Sequence, residues 1–136
     1  MEPDFPFDFI VYGTPPSLQR KGSRGKAEWK QAVKEACAPL LPEMHFATSR
    51  PLAVTLYYFP DGEMEGDIDN IVKLTLDALS KYLYKDDHQI ERVVVQKFEA
   101  GRIFTFSSPS ETLLECVLGD KPALYVRVSD NLEDGL

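Results

Sequence analysis

Gly66-Asp67-Ile68-Asp69-Asn70-Ile71-Val72-Lys73-Leu74-Thr75-Leu76-Asp77-Ala78-Leu79 carries the pattern from which the fold is read. At 100° per residue, with Asp69 at zero, Lys73 falls at about 40°, Asp77 at about 80° and Asn70 at about 100°. Ser80, Tyr84 and Lys81 continue the register at about 20°, 60° and 120°. Ile71, Val72, Leu74, Leu76, Ala78, Leu79, Tyr82 and Leu83 fill the other side. The spacing predicts a buried helix over 68–83 with a single polar stripe of Asp69, Asn70, Lys73 and Asp77. Asp67 falls just ahead of it, in a loop or at the cap.

Strands are expected on both sides of this helix. Before it, Leu52, Val54, Leu56 and Tyr58 alternate as in a half-buried strand, and Pro60-Asp61-Gly62 breaks the run. After it, residues 90–98 form a valine-rich strand that can continue to Phe106 with a kink at Gly101. Upstream, 7–12 is β-rich and ends at Gly13. Residues 26–38 place Trp29, Val33, Ala36 and Cys37 on one helical face and stop before Pro39. Residues 39–51 read as a loop. Downstream, Ser108 reads as a cap, Pro109 as the first helical residue and Glu111 as the far side of a capping box. That helix, 109–118, ends at Gly119. Leu124, Val126 and Val128 then alternate as a last strand. The expectation is a small single α/β domain over 1–136, β-α-β-α-β-(extra helix)-β, with helices packed on a mixed sheet.

Composition bounds the class. A chain of 136 residues is one domain with room for one real core. An apolar content of 43% excludes general disorder. No apolar run approaches a membrane span. The acidic N-terminus lacks a basic n-region, so no secretory signal is expected and a cytoplasmic location is. Cys37 and Cys116 stand far apart in helical-looking segments and read as buried thiols, neither a disulfide scaffold nor a zinc motif. His45 and His88 are isolated. His88 adjoins Asp87, and simple exposure is its favoured reading.

The chemistry concentrates around the central helix. Asp67, Asp69 and the later Asp86-Asp87 pair bring carboxylates together, and Lys73 stands among them. Clustered carboxylates repel unless a cation lies between them. Hard divalent ions take oxygen ligands, commonly one or two carboxylates with water and phosphate. The plain alternative is helix capping by Asp and Asn with a surface ion pair from Lys73. The added Asp86-Asp87 pair favours metal-assisted chemistry on a phosphate.

Asp67-Ile68-Asp69-Asn70-x-x-Lys73-x-x-x-Asp77-Ala78-Leu79 followed by Asp86-Asp87-x-x-Ile90 resembles the RusA family of Holliday junction resolvases. Pro15-Pro16-Ser17 is similar to that family's motif after its first strand. The resemblance runs from residue 7 to about 128. It implies a small homodimeric, magnesium-dependent endonuclease that cuts branched DNA in recombination and repair, bacterial or phage-encoded, with manganese as a substitute metal. It also implies that Asp67, Asp69 and Asp87 bind the metal and that Lys73 is the catalytic lysine. Such a metal orients a water, lowers its pKa and polarises the phosphoryl oxygen. The lysine stabilises charge growing on the phosphate. Asn70, Asp77 and Asp86 are read as supports behind the ligands, with Asp77 orienting Lys73 one turn away. For Asp86, a turn residue is an equal alternative.

Charge pulls the other way. The chain carries −7, and the loop Asp61-Gly62-Glu63-Met64-Glu65 is acidic where the resemblance implies a basic, DNA-holding one. Six acids lie at residues 1–8 and 129–136, where no base stands, which leaves the body between them at −1. Acidic tails are assigned to about 1–6 and 129–136. The stretch 18–34 holds Arg20, Lys21, Arg24, Lys26, Lys30 and Lys34 against Glu28 alone. Such a run is usually a solvated helix face or a flexible loop; with Gly22, Ser23 and Gly25 inside it, it reads as a basic arm, and the resemblance implies that Arg20, Lys21, Arg24, Lys26 and Lys30 contact DNA. The extra helix is a second departure, because the resemblance implies a shorter connection between the last two strands. Leu113, Leu114, Val117 and Leu118 fit two roles there, capping the core or widening a dimer interface.

The leading expectation is therefore a nuclease acting on a four-way junction as a homodimer, with no membrane partner. A nuclease for other branched DNA is the nearest alternative. A non-catalytic interaction protein with an acidic surface loop is the alternative from another class.

Overall fold

A computed structural model of the chain describes residues 1–16, 22–62 and 68–134. Among these residues, strands and α-helices alternate as expected: β1 (Phe7–Tyr12), α1 (Gly22–Cys37), β2 (Leu52–Phe59), α2 (Ile68–Leu79), β3 (Ile90–Lys97), α3 (Glu111–Leu118) and β4 (Ala123–Ser129). The strands form one mixed sheet in the order β1-β4-β2-β3. β4 runs antiparallel to both β1 and β2, while β2 and β3 are parallel. A parallel pair needs a crossover, and α2 supplies it.

α1 and α2 share one face of this sheet. Phe7, Phe9, Val11, Leu52, Val54, Leu56, Tyr58, Leu124, Val126 and Val128 point into it, as the period-two pattern predicts. Trp29, Val33 and Cys37 of α1 and Ile71, Leu74, Ala78 and Leu79 of α2 close over them. The indole Nε1 of Trp29 donates to Thr75 Oγ1 at 3.4 Å, the buried polar link between the two helices. Burial pushes the Cys37 thiol up to about 12 and the Cys116 thiol up to about 11, so both are protonated, inert core residues at neutral pH.

The other face is covered too. Phe59, Ala123 and Tyr125 pack there with Phe98, Leu113 and Cys116, while Ile10, Tyr57, Phe104, Phe106 and Val117 surround them. This assigns the extra helix, α3, to core capping through Leu113 and Val117. Leu114 and Leu118 remain on its exposed side.

Four boundaries differ from the sequence reading. α1 begins at Gly22 rather than Lys26. Burial of Trp29 and Val33 outweighs the low helix propensity of Gly22 and Gly25, and part of the supposed arm is helix. α2 stops at Leu79, where 83 was expected. Lys81 adopts a φ of 70° and its N–H donates to Tyr84 O at 2.7 Å, a turn that sends both Leu83 and Tyr84 into the core. A continued helix would have left Tyr84 on the polar stripe. β3 ends at Lys97 and does not reach Phe106. Phe98, Phe104 and Phe106 instead fold onto the second sheet face, with Phe98 and Phe104 edge to face at 4.5 Å. Finally, Ser110 caps α3, not Ser108: its hydroxyl accepts from Leu113 N–H at 3.0 Å and donates to Asp8 at 2.6 Å. Ser108 has a φ of 49°, outside the extended range a cap residue uses.

Candidate active site

α2 positions the polar stripe. Its apolar positions Ile71, Leu74 and Ala78 are anchored in the core, so Asp69 and Lys73 must face outward, and both are exposed. Asn70 and Asp77 are half-buried beside them. Lys73 Nζ lies 3.6 Å from Asp77 Oδ2, the one-turn pairing expected of these two residues. Among the described residues, the Asp69 side chain has no hydrogen bond or ion pair. Asp67 lies outside the described residues, as do Glu63 and Glu65 of the acidic loop.

The Asp86-Asp87 pair sits in a built turn just before β3. Asp86 caps a short 3₁₀ turn, Asp87–Gln89, by accepting the His88 N–H at 3.2 Å. That hydrogen bond, more than any other cause, holds the Asp86 carboxyl below its usual range, and His88 Nδ1 stands 3.2 Å away. The geometry gives Asp86 a capping role and leaves His88 exposed. Gln89 completes the turn from below. Its Oε1 accepts the N–H groups of Lys85 and Asp86, each at 2.8 Å. Its Nε2 donates to the carbonyls of Thr48 at 2.8 Å and Arg50 at 2.9 Å. All four hydrogen-bonding positions of a buried amide are used.

Tyr84 joins this turn to α2. Its ring is fully buried, and its hydroxyl lies 2.8 Å from Leu76 O and 3.2 Å from Asp87 Oδ1. Burial pushes its pKa up most, and the charge of Asp87, its hydrogen bond to Asp87 and the charge of Asp77 push it further. The hydroxyl reaches both the Leu76 carbonyl of α2 and Asp87, so the turn and the helix meet there. Sequence reasoning missed Gln89 and placed Tyr84 on the stripe without a role. Asp86-x-x-Gln89 is a capping-box spacing and was the available signal for Gln89.

The donor chemistry fits a hard cation. Cys37 and Cys116 are buried, His45 is bound to the Tyr82 carbonyl at 3.0 Å, and His88 pairs with Asp86. What remains around the stripe is carboxylate oxygen, the donor type that hard divalent ions take. Among the described residues alone, no group of three or more His, Cys, Asp or Glu is arranged to hold a metal.

The basic run divides. Lys26 and Lys30 lie on α1, half-exposed, and Lys34 Nζ sits 5.6 Å from the Tyr82 ring centre. Arg20, Lys21 and the Arg24 side chain lie outside the described residues. On the far sheet face a concavity of about 520 Å³ exposes Arg92 and Arg127. Asp134 already occupies both, through a bidentate pair with Arg127 at 2.6 and 3.0 Å and a backbone carbonyl bonded to Arg92.

A family model described as Endodeoxyribonuclease RusA matches residues 17–105, more than half of the chain and the whole of the acidic motif. The chain belongs to the RusA endodeoxyribonuclease family. Membership makes it a nuclease of the DNA-cutting class, and the acidic residues on α2 and in the turn before β3 lie inside the matched region. No curated protein matches it. The RusA match ends at residue 105, before α3, so α3 and β4 stand outside it. Among the described residues no helix is long and apolar enough to cross a membrane.

Proposed function

We propose that this RusA-family chain is a magnesium-dependent endonuclease that resolves Holliday junctions in DNA recombination and repair. The observation that carries the reading is the Tyr84–Asp87 contact, which folds the second acidic segment against the helix bearing Asp69, Lys73 and Asp77. Asp67, Asp69 and Asp87 would hold the ion. Bound there, magnesium supplies an activated water and polarises the scissile phosphate. Asp69, exposed at the first turn of α2, presents its carboxylate outward for such an ion. Lys73, 63% exposed, donates to a phosphoryl oxygen as charge builds. Asp77 keeps the ammonium within one helical turn of the acids. A four-way junction is two-fold symmetric, and paired cuts require two such sites, so the working form is an isologous homodimer.

The test is cleavage of a synthetic four-way junction against linear duplex of the same sequence, with and without magnesium. Paired nicks in the junction alone, dependent on metal, are expected. Equal cutting of both substrates would remove the junction specificity, and no cutting of either in magnesium or manganese would remove the catalytic reading.

A further inference from the structure

Tyr84 is a residue whose polar atom has a place in the site although its ring belongs to the core. The ring is fully buried among the residues that seat α2. Its backbone is fixed on two sides, by Lys81 N–H on its carbonyl at 2.7 Å and by a bridge to Thr48. Such a ring has no freedom to swing, so its hydroxyl is a fixed point. That point lies between a carbonyl of the last turn of α2 and the carboxylate of Asp87. The Leu76 carbonyl is already bonded by Ser80 N–H at 2.9 Å. It does not depend on the phenol. The hydroxyl's single proton is shared between that carbonyl, at 2.8 Å, and Asp87 Oδ1, at 3.2 Å, and among the described residues it is the hydrogen-bond donor that reaches Oδ1.

We infer that Tyr84 is a positioning residue for Asp87: its hydroxyl holds Oδ1 and so turns the other carboxylate oxygen toward the cation. This deepens the proposed metal-dependent reading and rests on it. A carboxylate free to rotate must lose that freedom on binding, whereas one already oriented does not, and outer partners of metal ligands commonly change affinity by about 10-fold or more.

The experiment is manganese binding to the full chain without DNA, followed by calorimetric titration, for the wild type, Tyr84→Phe and Asp87→Asn. Phenylalanine removes one oxygen and no carbon from the core, so the metal-free protein should still fold, with its thermal transition lowered by only a few degrees for the lost hydrogen bond. The expected result is manganese affinity weakened by about 10-fold in Tyr84→Phe and by more in Asp87→Asn. In cleavage assays the half-saturating metal concentration should rise for Tyr84→Phe, while the rate at saturating metal changes less than threefold. Affinity within twofold of wild type in Tyr84→Phe, with Asp87→Asn weakened, would overturn the role of Tyr84 and leave the metal site standing. Unchanged affinity in both variants, or no manganese binding by the wild type, would overturn the metal assignment and the role of Tyr84 with it.

Discussion

At the scale of single residues, the exposed stripe of α2 separates chemistry from stability. Lys73 is 63% exposed and its pairing with Asp77 spans 3.6 Å. An exposed i,i+4 pair contributes only a few tenths of a kcal/mol, about 0.3–0.5. Lys73→Ala should therefore melt within a degree or two of wild type and still bind a junction. Loss of a donor to the transition state costs about 100-fold or more in rate. Single-turnover cleavage under saturating magnesium checks this, and a wild-type rate would make Lys73 an ordinary surface residue. Asp69, Lys73 and Asp77 were legible because a 3.6-residue period fixes which side chains share a face. Tyr84 was not, because the same period extended past Leu79 put it on the stripe. The turn at Lys81 cancels that register, and nothing local in Ser80-Lys81-Tyr82 announces it; what decides it is the burial of Leu83 and Tyr84 together.

At the scale of elements, the order of strands and helices followed from alternation and periodicity, while the ends did not. β3 stops at Lys97 because the aromatics after it gain more by covering the far sheet face than by extending an edge. That is a long-range preference no window of sequence contains. The turn before β3 shows the same dependence. Gln89 ties Lys85 and Asp86 to Thr48 and Arg50, residues some 40 positions away, through four hydrogen bonds to one buried amide. Gln89→Ala leaves those groups short of partners at about 1–3 kcal/mol for a buried one. We expect destabilisation of about 2–3 kcal/mol by urea unfolding, together with a cleavage defect larger than stability explains, because Asp87 rides on this turn. A stability loss with full activity below the midpoint would show that the turn does not set the position of Asp87.

A second element-scale outcome concerns the chain after β4. Asp134 is bonded to Arg127 by both carboxylate oxygens, which lowers its pKa, chiefly through those hydrogen bonds. A carboxyl whose folded pKa is depressed adds stability that is present above its unfolded value, about 3.9, and is lost as pH falls through the folded value. Wild type should therefore lose stability on acidification below about pH 4 more steeply than Asp134→Asn, while the two differ by a small constant at pH 7. Urea midpoints at pH 7 and pH 3 measure it. Parallel pH profiles would mean that the pair adds no stability.

At the scale of the whole molecule, the conflict is between a DNA substrate and a net charge of −7. The fold resolves part of it by placement. Lys26 and Lys30 are carried on α1, which packs against α2, so these cations share a sheet face with the acidic stripe. The acids Asp8 and Asp134 are spent elsewhere, on Tyr125 and Ser110 and on Arg127. Asp130 is spent on Arg50. We expect DNA to follow the cations of α1 rather than the acidic stripe, because phosphate neutralisation there releases counterions. Changing Lys26 and Lys30 to glutamine should weaken junction binding and flatten the dependence of log K on log salt by up to ~0.9 per lost phosphate contact. Adding Arg20, Lys21 and Arg24 to the set should flatten it further. Glu63→Gln with Glu65→Gln should act in the opposite direction, tightening binding at low magnesium and converging on wild type as the ion concentration rises. Fluorescence anisotropy with a labelled junction at several salt concentrations separates the cases. An unchanged slope in the α1 variants would place the DNA path on another surface, and tighter binding on loss of Lys26 and Lys30 would reverse the charge assignment altogether.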